Sequence, residues 1–311
     1  MDHRRLGDSG LKVSEIGLGC NNFGMRLDQA GTNAVIDAAI EQGVTFMDTA
    51  DVYGGQGKSE ELMGNALKGK RHQVILATKF ASPMGAPDKQ GGSRRYIMEA
   101  VEASLKRLQT DYIDLYQMHR PDPDTPIEET LSALDDLVTQ GKVRYLGNSN
   151  FTGWMIADAD WTARDEHLTR FVSAQNNYSL LERRVEYEVN PACERFGLGM
   201  LPYFPLASGL LSGKYTRGEP PPEGTRLANF GPRAAAALND NNFDKLDRLT
   251  AWAQERGHTL LELAFAWLLG HKVVSSVIAG ATKPEQVAAN AATAGWKLTP
   301  EEVREVTKLA A

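Results

Sequence analysis

Four polar side chains, placed where apolar segments end, could together reduce a carbonyl group. Asp48, Lys79 and His119 each end a segment of strand-like character, and Tyr53 follows the first of them. Carbonyl reduction requires a hydride for carbon, which a nicotinamide cofactor supplies, and a proton for oxygen. A tyrosine can donate that proton, and a neighbouring lysine ammonium is expected to lower the tyrosine pKa. Asp48 would hold Lys79 charged, and His119 would orient the carbonyl oxygen.

Eight apolar segments alternate with segments of helical periodicity, which is typical of βαβ units and a parallel sheet. We predict a (β/α)8 TIM barrel, because the carboxyl ends of its strands meet at one mouth, where these polar residues would converge. An N-terminal β-hairpin over about the first eleven residues and extra helices complete the predicted fold, and residues 1–311 are expected to form a single domain. The predicted strands are residues 16–19, 44–48, 74–79, 112–119, 143–150, 171–176, 200–203 and 273–279.

Capping residues mark several helix boundaries. Ser93 is predicted to cap one helix, and Thr125 and Thr299 each begin the capping-box pattern. Residues 80–95 and 207–240 break the regular alternation and are predicted to be long loops. Such loops in enzymes are usually functional covers or mobile segments.

Composition excludes several classes of protein. The net charge of −6 and the isoelectric point near 5.6 argue against a broad nucleic-acid or anionic-membrane surface. The two cysteines, Cys20 and Cys193, are far apart in sequence, which favours a reduced compartment over a disulfide scaffold. No segment approaches the length of an apolar membrane span. We therefore expect a cytoplasmic protein with a small-molecule substrate and neither a nucleic-acid nor a membrane partner.

Two other kinds of site are disfavoured by spacing. The segment 54–59 ends like a phosphate-binding loop, but the Walker-A pattern requires glycine where Val52 stands. We interpret this segment as a flexible loop whose Ser59 caps the helix that follows. The six histidines form no HxH or HExxH motif, so no metal site is predicted. A barrel hydrolase that uses Asp48 and His119 nevertheless stays open as an alternative.

The sequence resembles the aldo-keto reductases along most of its length, in order from about residue 4 to residue 300. The segments that match the motifs of this family are residues 46–54, 77–79, 112–119, 147–150, 175–178, 203–207 and 280–286. The resemblance implies a β/α barrel that binds NADP(H) in an extended pose without a Rossmann domain. It also implies the four catalytic roles given above to Asp48, Tyr53, Lys79 and His119.

The resemblance further implies a set of cofactor contacts, distributed over the ends of several strands. At the nicotinamide they are Ser149, Asn150 and Gln175 for the carboxamide and Tyr203 for the ring. Around the pyrophosphate they are Leu206, Ser208, Gly209, Lys214 and Arg226. At the adenosine end they are Gly280, Thr282, Lys283, Gln286 and Asn290. The remaining predicted contacts are Gly19, Asn21 and Asp48.

Two departures from the family pattern affect the choice of cofactor. Gly280 and Gln286 stand where the best-known branch has lysine and arginine, so Lys283 is the nearest cation for a 2′-phosphate. NADP(H) is predicted in preference to NAD(H), and the expected reaction is reduction of aldehydes or ketones, with alcohol oxidation in reverse. The alternative is a cofactor-binding regulatory subunit with little turnover, as in the β subunits of voltage-gated potassium channels. The oligomeric state is left open.

Overall fold

The computed structural model describes residues 1–229 and 237–311, in which eight parallel strands form one sheet. An antiparallel hairpin, β1 (His3–Arg5) and β2 (Lys12–Ser14), precedes them. The barrel strands are β3 (Ile16–Gly19), β4 (Phe46–Asp48), β5 (Ile75–Phe80), β6 (Ile113–Met118), β7 (Val143–Ser149), β8 (Phe171–Gln175), β9 (Gly199–Met200) and β10 (Val277–Gly280). Their order in the sheet is β10-β3-β4-β5-β6-β7-β8-β9. The prediction of a β/α barrel with an N-terminal hairpin is confirmed.

The barrel closes between β9 and the chain that leads into β10. The Met200 amide donates to the Val273 carbonyl at 2.7 Å, and the Ser275 amide donates to the Met200 carbonyl at 2.9 Å. The two strands here are shorter than the predicted segments 200–203 and 273–279. The Leu201 and Tyr203 amides still donate to the Ala174 and Asn176 carbonyls at 2.9 and 3.0 Å beyond the end of β9. Pro202 has no N–H to donate on the opposite side, where residues 273–275 form the closure with Met200.

Helices pack around the sheet, most of them between consecutive strands. The longer helices of the described residues are α1 (Gln29–Glu41), α2 (Lys58–Ala66), α3 (Arg94–Leu108), α4 (Ile127–Thr139), α5 (Gly153–Asp165), α6 (Val189–Phe196), α7 (Asp240–Gln254), α8 (Leu260–Leu269), α9 (Pro284–Ala292) and α10 (Pro300–Leu309). None of the helices in this part of the chain is long and apolar enough to cross a membrane.

The predicted helix caps are confirmed at two positions and wrong at two. Ser93 accepts a hydrogen bond from the Tyr96 amide, and Thr299 forms a capping box at the start of α10. Thr125 does not cap α4, because its hydroxyl donates to Asp122. Ser59 lies inside α2, where its hydroxyl donates to the carbonyl of Cys20.

The barrel interior is layered, because residues two apart on a strand face the same side. Leu6 of the hairpin packs with inward-facing Phe46, Ala77 and Leu115 in an apolar layer at the amino-terminal end. Two residues further along β4, β5 and β6 the inward positions hold Asp48, Lys79 and Gln117, all buried. The strands therefore place a polar layer directly above the apolar one, towards the carboxyl-terminal mouth.

The described parts of the two predicted loops follow β5 and β9 on the side of this mouth. Asp122 fixes the loop 80–95 to the next βα connection, since its carboxylate accepts a hydrogen bond from the Gly92 amide at 2.7 Å. The loop 207–240 contains short 3-10 turns at Ala207–Ser212 and Leu227–Asn229. Its residues 230–236 lie outside the described part of the chain.

Candidate active site

A cavity of about 830 Å³ opens at the carboxyl ends of the barrel strands, where active sites of β/α barrels lie. Asp48, Tyr53 and His119 line this cavity. Lys79 is fully buried directly beneath them. The structure thus brings together the four side chains that the sequence predicts to be catalytic.

Lys79 makes three hydrogen bonds, one for each N–H of its ammonium group. Its Nζ lies 2.6 Å from Asp48 Oδ2, 2.7 Å from the Thr49 carbonyl oxygen and 3.5 Å from the Tyr53 hydroxyl oxygen. Burial alone would lower the pKa of Lys79, but Asp48 and Tyr53 together raise it above its ordinary value. Lys79 is therefore a fixed cation that points one N–H at the Tyr53 oxygen.

The pKa of Tyr53 does not shift in the expected direction. Burial raises it above the ordinary value, and this outweighs the opposing effect of the Lys79 ammonium. The expected lowering of the Tyr53 pKa follows from the lysine alone, whereas burial is a property of the folded chain that the sequence does not state. Tyr53 is consequently a neutral phenol near neutral pH and still carries the proton that an acid must donate.

Asp48 is held on its second oxygen by two glutamines. Gln117 Nε2 and Gln175 Nε2 donate to Asp48 Oδ1 at 3.0 and 2.9 Å. Gln175 is predicted to bind the nicotinamide carboxamide, and here its amide N–H is engaged by Asp48. The sequence analysis missed Gln117, although it stands two residues before His119 and the period of two along β6 could have indicated it.

His119 is a neutral imidazole in this site. Burial, with Lys79 and Arg120 nearby, lowers its pKa to about 3. Its Nδ1 lies 3.1 Å from the Ser82 hydroxyl, and its ring meets the Tyr53 ring edge to face at 5.6 Å between centroids. Ser82 is a further residue that the sequence analysis missed, within a loop predicted only as a cover. The neutral ring can donate one hydrogen bond but cannot act as a cation.

The residues predicted at the nicotinamide hold one another in place. Asn150 Nδ2 donates to the His119 carbonyl at 2.9 Å, and the Tyr203 hydroxyl donates to Asn150 Oδ1 at 2.8 Å. The Ser149 hydroxyl donates to the Gln175 carbonyl at 2.8 Å. Asn150 reaches these partners from a left-handed backbone conformation with φ of 62°. The wall that Tyr203 forms is therefore coupled to His119 through Asn150.

The wall after Tyr203 has a strained backbone. Phe204, Ala207 and Ser208 have φ of 54°, 45° and 60°, and Gly209 follows with 97°. Non-glycine residues in this region cost roughly 1 kcal/mol or more each, and such residues cluster at ligand sites. Lys214 lies against this turn, since a Cβ on Gly209 would stand 2.8 Å from its Nζ. The predicted contacts Leu206, Ser208, Gly209 and Lys214 all line the cavity.

Cations line the cavity without carboxylate partners in the described residues, and residues 230–236 contain no Asp or Glu that could supply one. They are Arg26, Lys214, Arg226 and Lys283. Arg226 stacks on the Phe204 ring at 4.8 Å from the centroid, and burial and then Arg26 lower its pKa. Arg26 was missed because a lone arginine in a loop after β3 has no sequence signal. An anion fits this cavity electrostatically.

The adenosine-end residues converge only in part. Gly280, Thr282, Lys283 and Gln286 line the cavity, as do Gly19 and Asn21. Gln286 Oε1 accepts a hydrogen bond from the Thr282 amide at 2.7 Å and so ties the residue before the N-cap to the first turn of α9. Asn290 lies one turn further along α9, is 8% exposed and does not line the described cavity. Its role as a contact stays a prediction.

Comparison with known proteins decides the family. The profile of the aldo/keto reductase family matches residues 15–311. The chain belongs to the aldo/keto reductase family. The match includes all ten helices and every barrel strand defined above, together with the four side chains at the mouth.

Relatives of this aldo/keto reductase carry both enzymatic and regulatory names. A probable voltage-gated potassium channel subunit beta from Oryza sativa subsp. japonica is 38% identical over 296 residues, covering 93% of this chain and 90% of that protein. The uncharacterized oxidoreductase YrpG of Bacillus subtilis is 38% identical over 300 residues, covering 92% and 89%. Versiconal hemiacetal acetate reductase of Aspergillus parasiticus is 34% identical over 333 residues, covering 98% and 95%. Family membership and the oxidoreductase names support a carbonyl reductase that uses a nicotinamide cofactor.

Proposed function

We propose that this aldo/keto reductase reduces aldehydes or ketones to alcohols with NADPH, and that Tyr53 donates the proton to the carbonyl oxygen. Oxidation of alcohols is the same reaction in reverse. The observation that carries the proposal is the complete set of hydrogen bonds at Lys79, which directs one N–H at the Tyr53 oxygen.

This arrangement leaves the Tyr53 proton available to a substrate. The hydroxyl oxygen accepts from Lys79, so its own O–H points away from the lysine and can donate to a carbonyl oxygen in the cavity. When that proton leaves, the phenolate keeps the Lys79 hydrogen bond, which becomes charge-assisted and stronger. Asp48 holds Lys79 in place throughout and is itself fixed by Gln117 and Gln175.

The residues present fit a dinucleotide. Tyr203 and Asn150 would flank the nicotinamide, which supplies the hydride when the cofactor is bound. The strained turn of residues 204–209 would receive the pyrophosphate together with Lys214 and Arg226, which have no carboxylate partner among the described residues. A cavity of about 830 Å³ lies in the range of ligand sites.

We infer a preference for NADP(H) over NAD(H) from the start of α9. Lys283 is its N-cap residue, has no carboxylate partner in the described residues and lines the cavity. A 2′-phosphate at this position would meet both the ammonium group and the helix N-terminus, which favours anions.

Both cysteines are free and buried, which suits a reducing compartment, and we propose a cytoplasmic location.

A binding titration followed by a turnover assay tests the proposal. Protein fluorescence is followed as NADPH or NADH is added, and NADPH consumption is then measured with a panel of aldehydes, ketones, sugars and quinones. Saturable NADPH binding and carbonyl-dependent consumption are expected. Failure to bind either nucleotide would contradict the cofactor assignment.

The second candidate is a regulatory subunit that retains the cofactor with little turnover. The potassium channel β-subunit names of similar proteins favour it. Retention of NADPH through gel filtration, with no consumption on any carbonyl of the panel, would support this role. The hydrogen-bonded set of Asp48, Tyr53 and Lys79 favours the enzyme.

A further inference from the structure

Ser82 is buried against His119 behind the reacting groups. β5 ends at Phe80, and Ala81 turns the chain with φ of 80°. This turn places Ser82, which is 1% exposed, with its Oγ 3.1 Å from His119 Nδ1. The His119 amide donates to the Phe80 carbonyl at 2.9 Å, so backbone and side chain both fix the relative position of the two residues. Ser82 Oγ has no other hydrogen-bond partner in the described residues.

Because Ser82 Oγ has no second partner in the described residues, the direction of its hydrogen bond with His119 Nδ1 can be inferred. A neutral imidazole carries its proton on one nitrogen only. If Nδ1 carried it, the ring would donate to Ser82, and the buried Ser82 hydroxyl proton would have no acceptor. If Nδ1 is bare, Ser82 donates to it and both groups are satisfied. The proton of the ring then resides on Nε2, which the Ser82 contact leaves free.

We propose that Ser82 is a positioning residue that fixes His119 as the Nε2–H tautomer, so that His119 donates a hydrogen bond to the substrate carbonyl oxygen. The catalytic part of this inference rests on the proposed function, but the tautomer does not. The Tyr53 and His119 rings meet edge to face, with both residues lining the cavity, so two donors can address the same oxygen. The opposite tautomer would turn a nitrogen lone pair towards that oxygen and repel it.

Nuclear magnetic resonance of ¹⁵N-labelled histidine tests the tautomer directly. Long-range ¹H–¹⁵N correlations distinguish Nδ1–H from Nε2–H in a neutral ring, and His119→Asn identifies the signal among the six histidines. The wild-type protein is expected to show His119 as Nε2–H. Ser82→Ala should give a mixture of tautomers, and Ser82→Thr, which keeps the hydroxyl, should restore Nε2–H.

Kinetics of the same variants test the consequence. Ser82→Ala is expected to lower kcat by about tenfold or more, as loss of a well-placed donor does, with NADPH affinity unchanged. Ser82→Thr should recover most of kcat. Ser104→Ala, which removes a buried hydroxyl on α3 outside the cavity, is the matched control and should leave both the tautomer and kcat unchanged.

Two results would overturn the inference. One is a wild-type His119 that carries its proton on Nδ1, and the other is a Ser82→Ala protein that keeps pure Nε2–H, whatever its kcat. The spectrum requires no turnover, so an inactive protein with the Nε2–H ring would contradict the proposed function and leave the tautomer assignment standing. The wild-type spectrum also decides the matter if Ser82→Ala does not fold.

Discussion

Asp51 is a buried carboxyl group close to Lys79 whose side chain does not line the cavity. Its amide donates to the Lys79 carbonyl at 3.1 Å, and one of its oxygens accepts from the Tyr96 hydroxyl at 3.4 Å. The other oxygen is buried without a partner in the described residues. Burial, followed by the charge of Glu60, raises the pKa of Asp51 to about 7. The folded protein therefore binds a proton here that the unfolded chain releases at far lower pH.

Asp51→Asn should reveal this as a pH-dependent difference in stability. The neutral Asp51 contributes stability that is fully present below the pKa of the unfolded chain, near 4, and is lost as the pH rises through about 7. Between about pH 5 and about pH 8, the unfolding free energy of the variant minus that of the wild type should increase by roughly 2 to 3 kcal/mol. Urea unfolding at both pH values measures it, with exposed Asp158→Asn as control. A difference that does not change with pH would contradict the assignment.

Among single residues, the sequence identified those whose side-chain type indicates a chemical role. Asp48, Lys79 and His119 end strands and Tyr53 follows one, and they do converge. Ser82 was not predicted as a site residue because its position depends on the left-handed turn at Ala81. Such a turn has no sequence signal at a non-glycine residue. The direction of the Tyr53 pKa shift was also wrong, because it depends on how deeply the ring is buried.

The first turn of α9 is the element that should distinguish the two nucleotides. Lys283→Gln is expected to raise the Kd for NADPH about tenfold and that for NADH less than about twofold, because only NADPH carries the 2′-phosphate. Fluorescence titration measures both values, and Lys308→Gln on α10 is the control. Equal weakening of the two nucleotides would place Lys283 at the pyrophosphate instead.

Helices and strands were predicted well where a local signal suffices. Ser93 and Thr299 cap their helices because each hydroxyl oxygen accepts a hydrogen bond from an amide in the first turn of its own helix. Thr125 does not cap its helix because its hydroxyl donates instead to Asp122, three residues earlier in the same connection. The strand β9 is shorter than predicted, although the Leu201 and Tyr203 amides still donate to the Ala174 and Asn176 carbonyls. Pro202, between them, has no N–H to donate on the other side, where the barrel closes.

The whole barrel separates stability from chemistry along its axis. The hairpin closes the amino-terminal end, where Leu6 is fully buried among inward-facing side chains. The residues proposed to be catalytic lie at the opposite mouth. Leu6→Ala should lower the unfolding free energy by about 2 to 5 kcal/mol, as large cavities in packed cores do, without changing kcat. Denaturant unfolding and kinetics measure this, with half-buried Leu11→Ala as a milder control. A loss of kcat at full stability would contradict the separation.

The fold class, a closed barrel with a hairpin, was predictable from the sequence. Eight strand-like segments that alternate with helices leave few other arrangements. The cations at the mouth were not predictable as a group. Arg26 and Arg226 come from loops far apart in sequence, and only the closed barrel brings them to one cavity. Residues 207–229, which carry several of the predicted cofactor contacts, border that cavity on one side.

The rate of NADPH oxidation by Tyr53→Phe with a saturating aldehyde tests whether Tyr53 donates the proton. The substitution removes one oxygen from a buried ring and leaves the cavity shape and the cations in place. Turnover should fall by at least about a hundredfold, the scale of a lost general acid, while the Kd for NADPH stays within about twofold of the wild-type value. Turnover close to that of the wild type would show that another group donates the proton and would contradict the central claim.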